Sequence, residues 1–477
     1  MPEPWPAPVA PEGVTGTVDI PGSKSLTNRA LVLAALAEGP STISHPLHAR
    51  DTVLMVDGLR ALGVDIAGSR TAWHVSPPHR RDPARPLAAG PTPPRRPAFR
   101  GNVVIDTGLA GTVMRFLPVL AALADGPVTF DGDLRARERP MAVTITSLRS
   151  LGVRVDDGDR GTLPFTVRPT GEVPGGSVEL DSSASSQFLS GLLLAAPAFV
   201  EGLTVRHVGA PLPSRDHIAM TVAMLRDRGV TVEDGTADRW RVAPGPLSAR
   251  DVTVEPDLST AAPFLAAALV AGGSIRVPRW PGRTTQPGGA VLDLLARMGA
   301  RVDRGDGAVT DVAPGTGAVT DVVPGIGVVT DVVPGTGAVT VSGDGHIDGI
   351  DVDLGDQPEL VPVVAALAAL ADSPSRITGV AHVRGQESDR LAALATEINA
   401  LGGDVEELPD GLVVRPRALV ANPHRPFHTY ADHRIAHAGA LLGLVVPGLR
   451  IADIATTAKT FPDFATRWAA LPARAAP

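Results

Sequence analysis

One αβ pattern recurs six times along this chain, and it limits the fold more than any other feature. Each copy opens with a polar turn holding Gly or Ser. An Ala/Leu-rich helix follows, then a turn and a short β-branched strand. A polar loop leads into a second helix, and most copies close on Leu-x-x-x-Gly before another strand. The first helices read RALVLAALAEG, MRFLPVLAALADG, FLSGLLLAAPAFVEG, APFLAAALVAGG, LVPVVAALAALADS and IAHAGALLGLVVPG; five second helices end in LRALGVDI, LRSLGVRV, LRDRGVTV, LARMGARV and INALGGDV. A glycine just past the last helical turn fits the left-handed cap position. The strand after it alternates Val or Ile at period two. The sixth copy stops at RWAALPARAAP, without its last strands.

The 477 residues, 44% of them apolar, exceed one ordinary domain. Six copies divide naturally into two domains of three. The third copy ends near Pro246, and Ile20–Pro21 and residues 252–257 are the candidate hinges. The expected first domain is 21–253, and the second is 1–20 plus 254–477. A cleft between the halves is the expected ligand site. Two stretches interrupt the pattern. Residues 76–98 are rich in Pro and Arg and read as an exposed, solvated loop. Residues 307–341 repeat the decapeptide GAVTDVVPGT, each copy closed by a Pro-Gly turn. They read as a tandem expansion of one β-hairpin, inserted away from every motif below.

Composition excludes several function classes. A net charge of −8 gives no global field for nucleic acid or membrane, so an anionic substrate must be caught by a local cationic site. The absence of cysteine rules out thiol catalysis, disulfides and cysteine-ligated zinc. No cluster of metal ligands stands out, so neither metal nor cofactor is expected. The Pro-rich start MPEPWPAPVAPEG has no basic and apolar signal pattern, and the longest apolar runs suit buried helices, so a soluble cytoplasmic monomer is expected. Of 43 basic residues only Lys24 and Lys459 are lysine. A lysine kept against that bias marks a place where a compact ammonium is needed and a guanidinium does not serve. Tyr430 is the single tyrosine.

The repeat places polar clusters at the starts of the first helices: PGSKSLTNR (21–29), TGLAGTVMR (107–115), SSASSQF (182–188), PDLSTAA (256–262), GDQPEL (355–360) and YADHR (430–434). Helix N-termini bind anions, and Ser, Thr, Asp and Asn there also simply cap helices. Capping does not explain Lys24, Arg29, Arg115, Gln187 and Arg434, because a cation at a helix N-terminus is disfavoured unless an anion is shared. A second set follows the middle strands: GDLRARERP (132–140), LPSRDH (212–217), VRGQESDRL (383–391) and ATTAKTFPDF (455–464). Taken singly, each could be an ordinary surface helix start with i,i+4 ion pairs. Together they describe a site for small, multiply charged anions.

PGSKSLTNR, LAGTVMRF, SSQFLSG, ESDRL, YADHRIA and TAKTFPDF, in this order and over nearly the whole chain, resemble the motif set of the 5-enolpyruvylshikimate-3-phosphate synthases, in the actinobacterial wording. The resemblance implies a two-domain inside-out α/β barrel fold of six βαβαββ repeats. It implies transfer of the enolpyruvyl group of phosphoenolpyruvate to the 5-hydroxyl of shikimate 3-phosphate, through a tetrahedral ketal, with release of phosphate. Carried over residue by residue, Lys24 touches both substrates. Ser25 and Arg29 hold the shikimate carboxylate side. Ser185, Ser186 and Ser214 bind the 3-phosphate, with Gln187 between the ligands and His382 and Gln386 also on the shikimate side. Arg390 and Arg434 grip the phosphoenolpyruvate carboxylate as bidentate forks. Its phosphate meets Lys24, Lys459, the Gly111 N–H and an arginine of 132–139; Arg135 aligns without a gap and Arg137 fits the actinobacterial wording. Glu359 is the base and Glu387 the acid. The inhibitor glyphosate, in this family, takes the phosphoenolpyruvate site, which Gly111 keeps open.

Some positions depart from the family pattern. Leu109 stands where many members have Asn, Phe116 where many have Pro, and His382 where Asn is frequent. Gln386 is neutral where the family has a cationic or titratable group, which bears on rate more than on substrate class. The rival readings are a paralogue acting on a shikimate analogue, an enolpyruvyl transferase acting on UDP-N-acetylglucosamine, and an RNA- or nucleotide-binding protein. The second usually has Asn after the lysine and a reactive Cys or Asp, where this chain has Ser25 and no Cys. The third needs a basic balance and exposed aromatics, and this chain is acidic and 3% aromatic.

Overall fold

A computed structural model describes residues 3–78, 98–169, 171–305 and 337–472. Most of the Pro/Arg-rich stretch and of the decapeptide tract lies outside the described residues. The chain forms two compact units, Gly22–Val254 and Met1–Pro21 with Glu255–Pro477. Each has its own hydrophobic core.

Five sheets are four-stranded and share one order. In the second copy, strand Val103–Asp106 pairs parallel with Val128–Asp131, across the helix Gly111–Ala121. Val128–Asp131 then pairs antiparallel with Phe165–Arg168, which pairs antiparallel with Arg154–Asp156. The third and fifth copies repeat this order within themselves. The first and fourth borrow their opening strand from elsewhere in the chain. Val252–Thr253 pairs with Ser41–Ser44, and Val14–Thr17 pairs with Gly273–Pro278. The sixth copy has only a two-stranded piece, Trp5–Pro6 against Arg450–Ile451. The fold is therefore α/β with repeated βαβ units. The sheets stay separate, and none closes into a barrel among the described residues.

The helices are held where the repeat needs them by two backbone devices. Gly63, Gly152, Gly229, Gly299 and Gly402, the five glycines of the second-helix endings, have φ between 80° and 103°. That conformation stops a helix and suits glycine alone among common residues. The first helices are apolar on most faces because they are buried on most faces; Leu258–Ala271 is buried along nearly its whole length. Small residues let such helices approach closely. A side chain at Gly191, in helix Ser186–Ala195, would stand 2.4 Å from the Arg115 carbonyl of helix Gly111–Ala121. In the fourth sheet, Arg301–Arg304 and Ala338–Gly343 pair antiparallel, so the decapeptide tract joins two hairpin strands.

Candidate active site

In the Gly22–Val254 unit, Lys24 opens the helix Lys24–Leu36. Its Nζ lies 3.3 Å from Oδ2 of the buried Asp51, in the first turn of the helix Arg50–Ala61. The carboxylate offsets a cation that a helix N-terminus disfavours. Ser25 Oγ is 3.4 Å from His217 Nε2. Arg29 is 1% exposed and donates to Thr221 Oγ1, Ser190 Oγ and the carbonyls of Ser25 and His217. These acceptors are neutral, and burial pushes its pKa down to about 9. Its guanidinium also lies over the Phe116 ring, at 5.4 Å. The bonds of Arg29 thus fasten three helices together and fix its guanidinium beside Ser25, with which it is expected on the shikimate carboxylate side.

Gly111 starts its helix behind Ala110, which has no capping side chain, so backbone N–H groups face outward. Around the position of a Gly111 Cβ stand Gln187 Oε1 at 2.9 Å and Nη1 of both Arg115 and Arg139 at 3.4 Å. Arg115 is buried, lies 5.3 Å over the Phe188 ring, and has no partner for Nε among the described residues. Burial, and then the charge of Arg139, hold it well below the usual guanidinium range. Two guanidiniums converging on a helix N-terminus are a receptor for an anion, whose charge would relieve their repulsion. Gln187 Oε1 is buried there without a hydrogen bond. Turning the Gln187 amide over brings an N–H donor towards the same point.

The arginine of 132–139 that reaches Gly111 is therefore Arg139, which also donates to the Leu109 carbonyl at 3.4 Å. Arg135 and Arg137 are exposed, and Arg137 is bidentate to Asp131, at 2.9 and 2.7 Å. The short 3-10 segment Leu134–Glu138 causes this: it turns the chain so that its own arginines face out and the next residue comes back.

Ser185 caps helix Ser186–Ala195 and accepts from the Gln187 N–H. Ser214 precedes the helix Arg215–Arg226 in a left-handed conformation, φ 53°. His207, ending strand Leu203–His207, joins the two loops: Nδ1 accepts from the Ser182 N–H at 3.2 Å and Nε2 meets the Ala210 carbonyl at 2.8 Å. Ser185, Ser186 and Ser214 are thereby held at the ends of two neighbouring strands.

In the other unit, Glu387 is gripped on both oxygens. Lys459 Nζ is 2.8 Å from Oε1, and His433 Nδ1 is 3.0 Å from Oε2. Arg390 opens helix Arg390–Ala400 and is side-on to the buried Asp432, Nε–Oδ2 2.8 Å and Nη2–Oδ1 3.3 Å. Its Nη1 donates to Gln386 Oε1. Burial works against the charge of Arg390, but Asp432 and Glu387 outweigh it and hold the pKa above the usual value. Asp432 is likewise held below the carboxylate range: burial raises it and Arg390 overrides that. The same Asp432 caps helix His433–Gly443 through the Arg434 N–H. Arg434 donates to the Glu359 carbonyl and to Ser259 Oγ, both at 3.2 Å. Burial lowers its pKa, Glu359 opposes this, and Arg390 adds to it. Two close arginines with spare N–H groups and a shared carboxylate behind one of them form a second anion receptor. Glu359 lies in the turn Pro358–Leu360, and His382 is half-buried nearby, held below the usual imidazole value by burial against the pull of Glu359.

A family model described as EPSP synthase (3-phosphoshikimate 1-carboxyvinyltransferase) matches residues 9–468. The chain belongs to this family. A 3-phosphoshikimate 1-carboxyvinyltransferase of Kocuria rhizophila is 50% identical over 470 residues, covering 98% of this chain and 96% of that one. Among solved structures, an EPSP synthase from Acinetobacter baumannii matches with a TM-score of 0.73 at 24% identity, over 98% of this chain and 96% of that chain. The enolpyruvyl transferase NikO from Streptomyces tendae matches with a TM-score of 0.64 at 18% identity, over 97% and 95%. These two likenesses concern the fold.

Within this EPSP synthase family member, sequence reading named neither Asp51, Arg139, Asp432 nor His433 as site residues. Asp432 and His433 lay inside the motif already singled out, and a capping Asp two residues before an arginine was the signal for a double role. One expectation is corrected. Glu387, Asp432 and His433 offer ligand atoms within 4.8 Å of one another, so a group with metal-ligand spacing does exist. Lys459 and Arg390 already engage its carboxylates, which makes it a poor setting for a further cation.

Proposed function

We propose that this chain transfers the enolpyruvyl group of phosphoenolpyruvate to the 5-hydroxyl of shikimate 3-phosphate, releasing phosphate. The observation that carries the reading is Glu387, held between Lys459 and His433 beside the Arg390–Asp432 pair. A Glu387 that carries the proton can hand it to C3, and the carboxylate left behind is stabilised by Lys459 and the His433 ring until the proton returns. The roles follow from that. Glu387 protonates C3 of the enol, while Glu359 takes the proton of the 5-hydroxyl, whose oxygen attacks C2. The ketal then collapses as C3 returns a proton to the Glu387 carboxylate and phosphate leaves. Arg390 and Arg434 take the carboxylate of phosphoenolpyruvate. Gly111 N–H, Arg139, Gln187 and Lys24 take its phosphate, and Ser185, Ser186 and Ser214 the 3-phosphate of the acceptor. The converging cations stabilise charge that grows at the ketal and the departing phosphate.

Glu387→Gln tests this. It keeps the shape and loses the proton, so phosphate release should fall by at least about a hundredfold, the scale of one general acid. Solvent deuterium should also stop entering C3 of phosphoenolpyruvate. Normal exchange in this variant would refute the assignment. We also read the protein as a cytoplasmic monomer, in keeping with a biosynthetic enzyme family; among the described residues no helix is long and apolar enough to cross a membrane. Light scattering tests the monomer.

A further inference from the structure

Glu397 is a carboxylate with 0% exposure that the chemistry above does not use. A buried charge is costly unless fully partnered. Here Arg425 Nη1 and Nη2 donate to its two oxygens at 2.7 Å each, the His428 N–H donates to Oε2 at 3.0 Å, and the Tyr430 hydroxyl donates to Oε1 at 2.7 Å. All four donors belong to residues 425–430, the segment that leads into helix His433–Gly443. Glu397 itself sits on helix Arg390–Ala400, two turns beyond Arg390.

The segment that is fastened this way is strained. Tyr430 and Ala431 both have left-handed backbones, φ 55° and 54°. Two adjacent L-residues hold that conformation only where their surroundings enforce it. The strained pair sets the direction of the next three side chains. Asp432 reaches back to Arg390, His433 to Glu387, and Arg434 to Ser259 and the Glu359 carbonyl. One helix thus delivers Arg390 and, through Glu397, anchors the turn that delivers Arg434.

We infer that Glu397, Arg425 and Tyr430 are positioning residues: a clamp that sets the placement of Arg434 and Asp432 against Arg390, and so the affinity for the carboxylate of phosphoenolpyruvate. The inference rests on the assignment of Arg390 and Arg434 to that carboxylate. The contact has a consequence for Tyr430: burial, and then Glu397, push its pKa up to about 12.

Because Tyr430 is the only tyrosine, its bond can be read directly. Tyrosinate absorbance at 295 nm should be small in the native enzyme at about pH 11, where an ordinary tyrosine of pKa about 10 is mostly ionised. It should grow in Glu397→Gln, and titration at the ordinary value in the native enzyme would mean that the clamp is not made. Tyr430→Phe removes only the hydroxyl. The KM for phosphoenolpyruvate should rise about fivefold, the scale of one hydrogen bond, while the KM for shikimate 3-phosphate holds and the melting temperature falls by no more than a few degrees. An unchanged phosphoenolpyruvate KM, or an equal rise in both KM values, overturns the inference. Arg390→Lys, run alongside, separates the two readings. If it leaves the phosphoenolpyruvate KM unchanged, the carboxylate assignment fails. If it raises that KM and Tyr430→Phe does not, only the clamp fails.

Discussion

Adding one methyl group at Gly111 should separate anion binding from folding. The new carbon would stand 2.9 Å from Gln187 Oε1 and 3.4 Å from Nη1 of Arg115 and of Arg139. All three are the far ends of flexible side chains, which can give by a few tenths of an ångström. Gly111 is the first residue of a helix and needs no left-handed backbone. In a helix interior alanine gains about 1 kcal/mol over glycine, and at the first position less, so the melting temperature should hold or rise slightly. The anion fares differently. The methyl occupies the space in front of the helix N–H groups and pushes the Gln187 amide aside. Loss of one charge-assisted hydrogen bond costs about 1.5–3 kcal/mol, or roughly ten- to a hundredfold in affinity. Gly111→Ala should therefore raise the KM for phosphoenolpyruvate by about tenfold or more, measured by phosphate release at saturating shikimate 3-phosphate. Glyphosate, the longer anion, should lose more than the substrate does. An unchanged phosphoenolpyruvate KM would place the phosphate elsewhere. A fall of several degrees in melting temperature would show that the three side chains cannot move, contrary to the reasoning.

Arg139→Ala should raise the phosphoenolpyruvate KM by about tenfold, while Arg137→Ala, which breaks only the exposed pair with Asp131, should leave it within about twofold; the reverse result would restore Arg137, one of the two arginines that the sequence offered. Lys459→Arg should lower turnover at least about tenfold, or ~1.4 kcal/mol, because a guanidinium seeks both oxygens of Glu387 and competes with His433 for one of them. Near-normal turnover in that variant would remove the argument from lysine retention.

The repeat was legible because each copy carries its own stop signal. The five second-helix endings hold glycines whose left-handed φ no other residue takes as readily, and a strand at period two follows. The borrowed strands were not legible. Val252–Thr253 and Val14–Thr17 are only two and four residues long, and their partners lie far away in the sequence. Periodicity needs more residues than that to show. The site divides along the same line. Lys24, Gly111, Arg390 and Arg434 stand at helix starts, where a misplaced cation or an uncapped N-terminus is visible locally. Their partners are set by tertiary packing: Asp51 lies 27 residues from Lys24, and His433 lies 46 from Glu387.

Arg139 shows what the fold adds to a local reading inside a motif. Residues 132–140 hold three arginines at alternate positions, Arg135, Arg137 and Arg139, a spacing that in a strand would put all three on one face. Alignment wording could only choose among them. The segment is instead a 3-10 turn ending at Glu138, with three residues per turn, which sends successive arginines to different sides. The fold then sorts them by the company they keep. Arg137 finds Asp131 and is spent on the surface, whereas Arg139 comes to the uncapped start of Gly111–Ala121, beside a second guanidinium. An arginine matched bidentately with a surface carboxylate has little left for a substrate, whereas one brought beside a second guanidinium at a helix N-terminus gains by meeting an anion there.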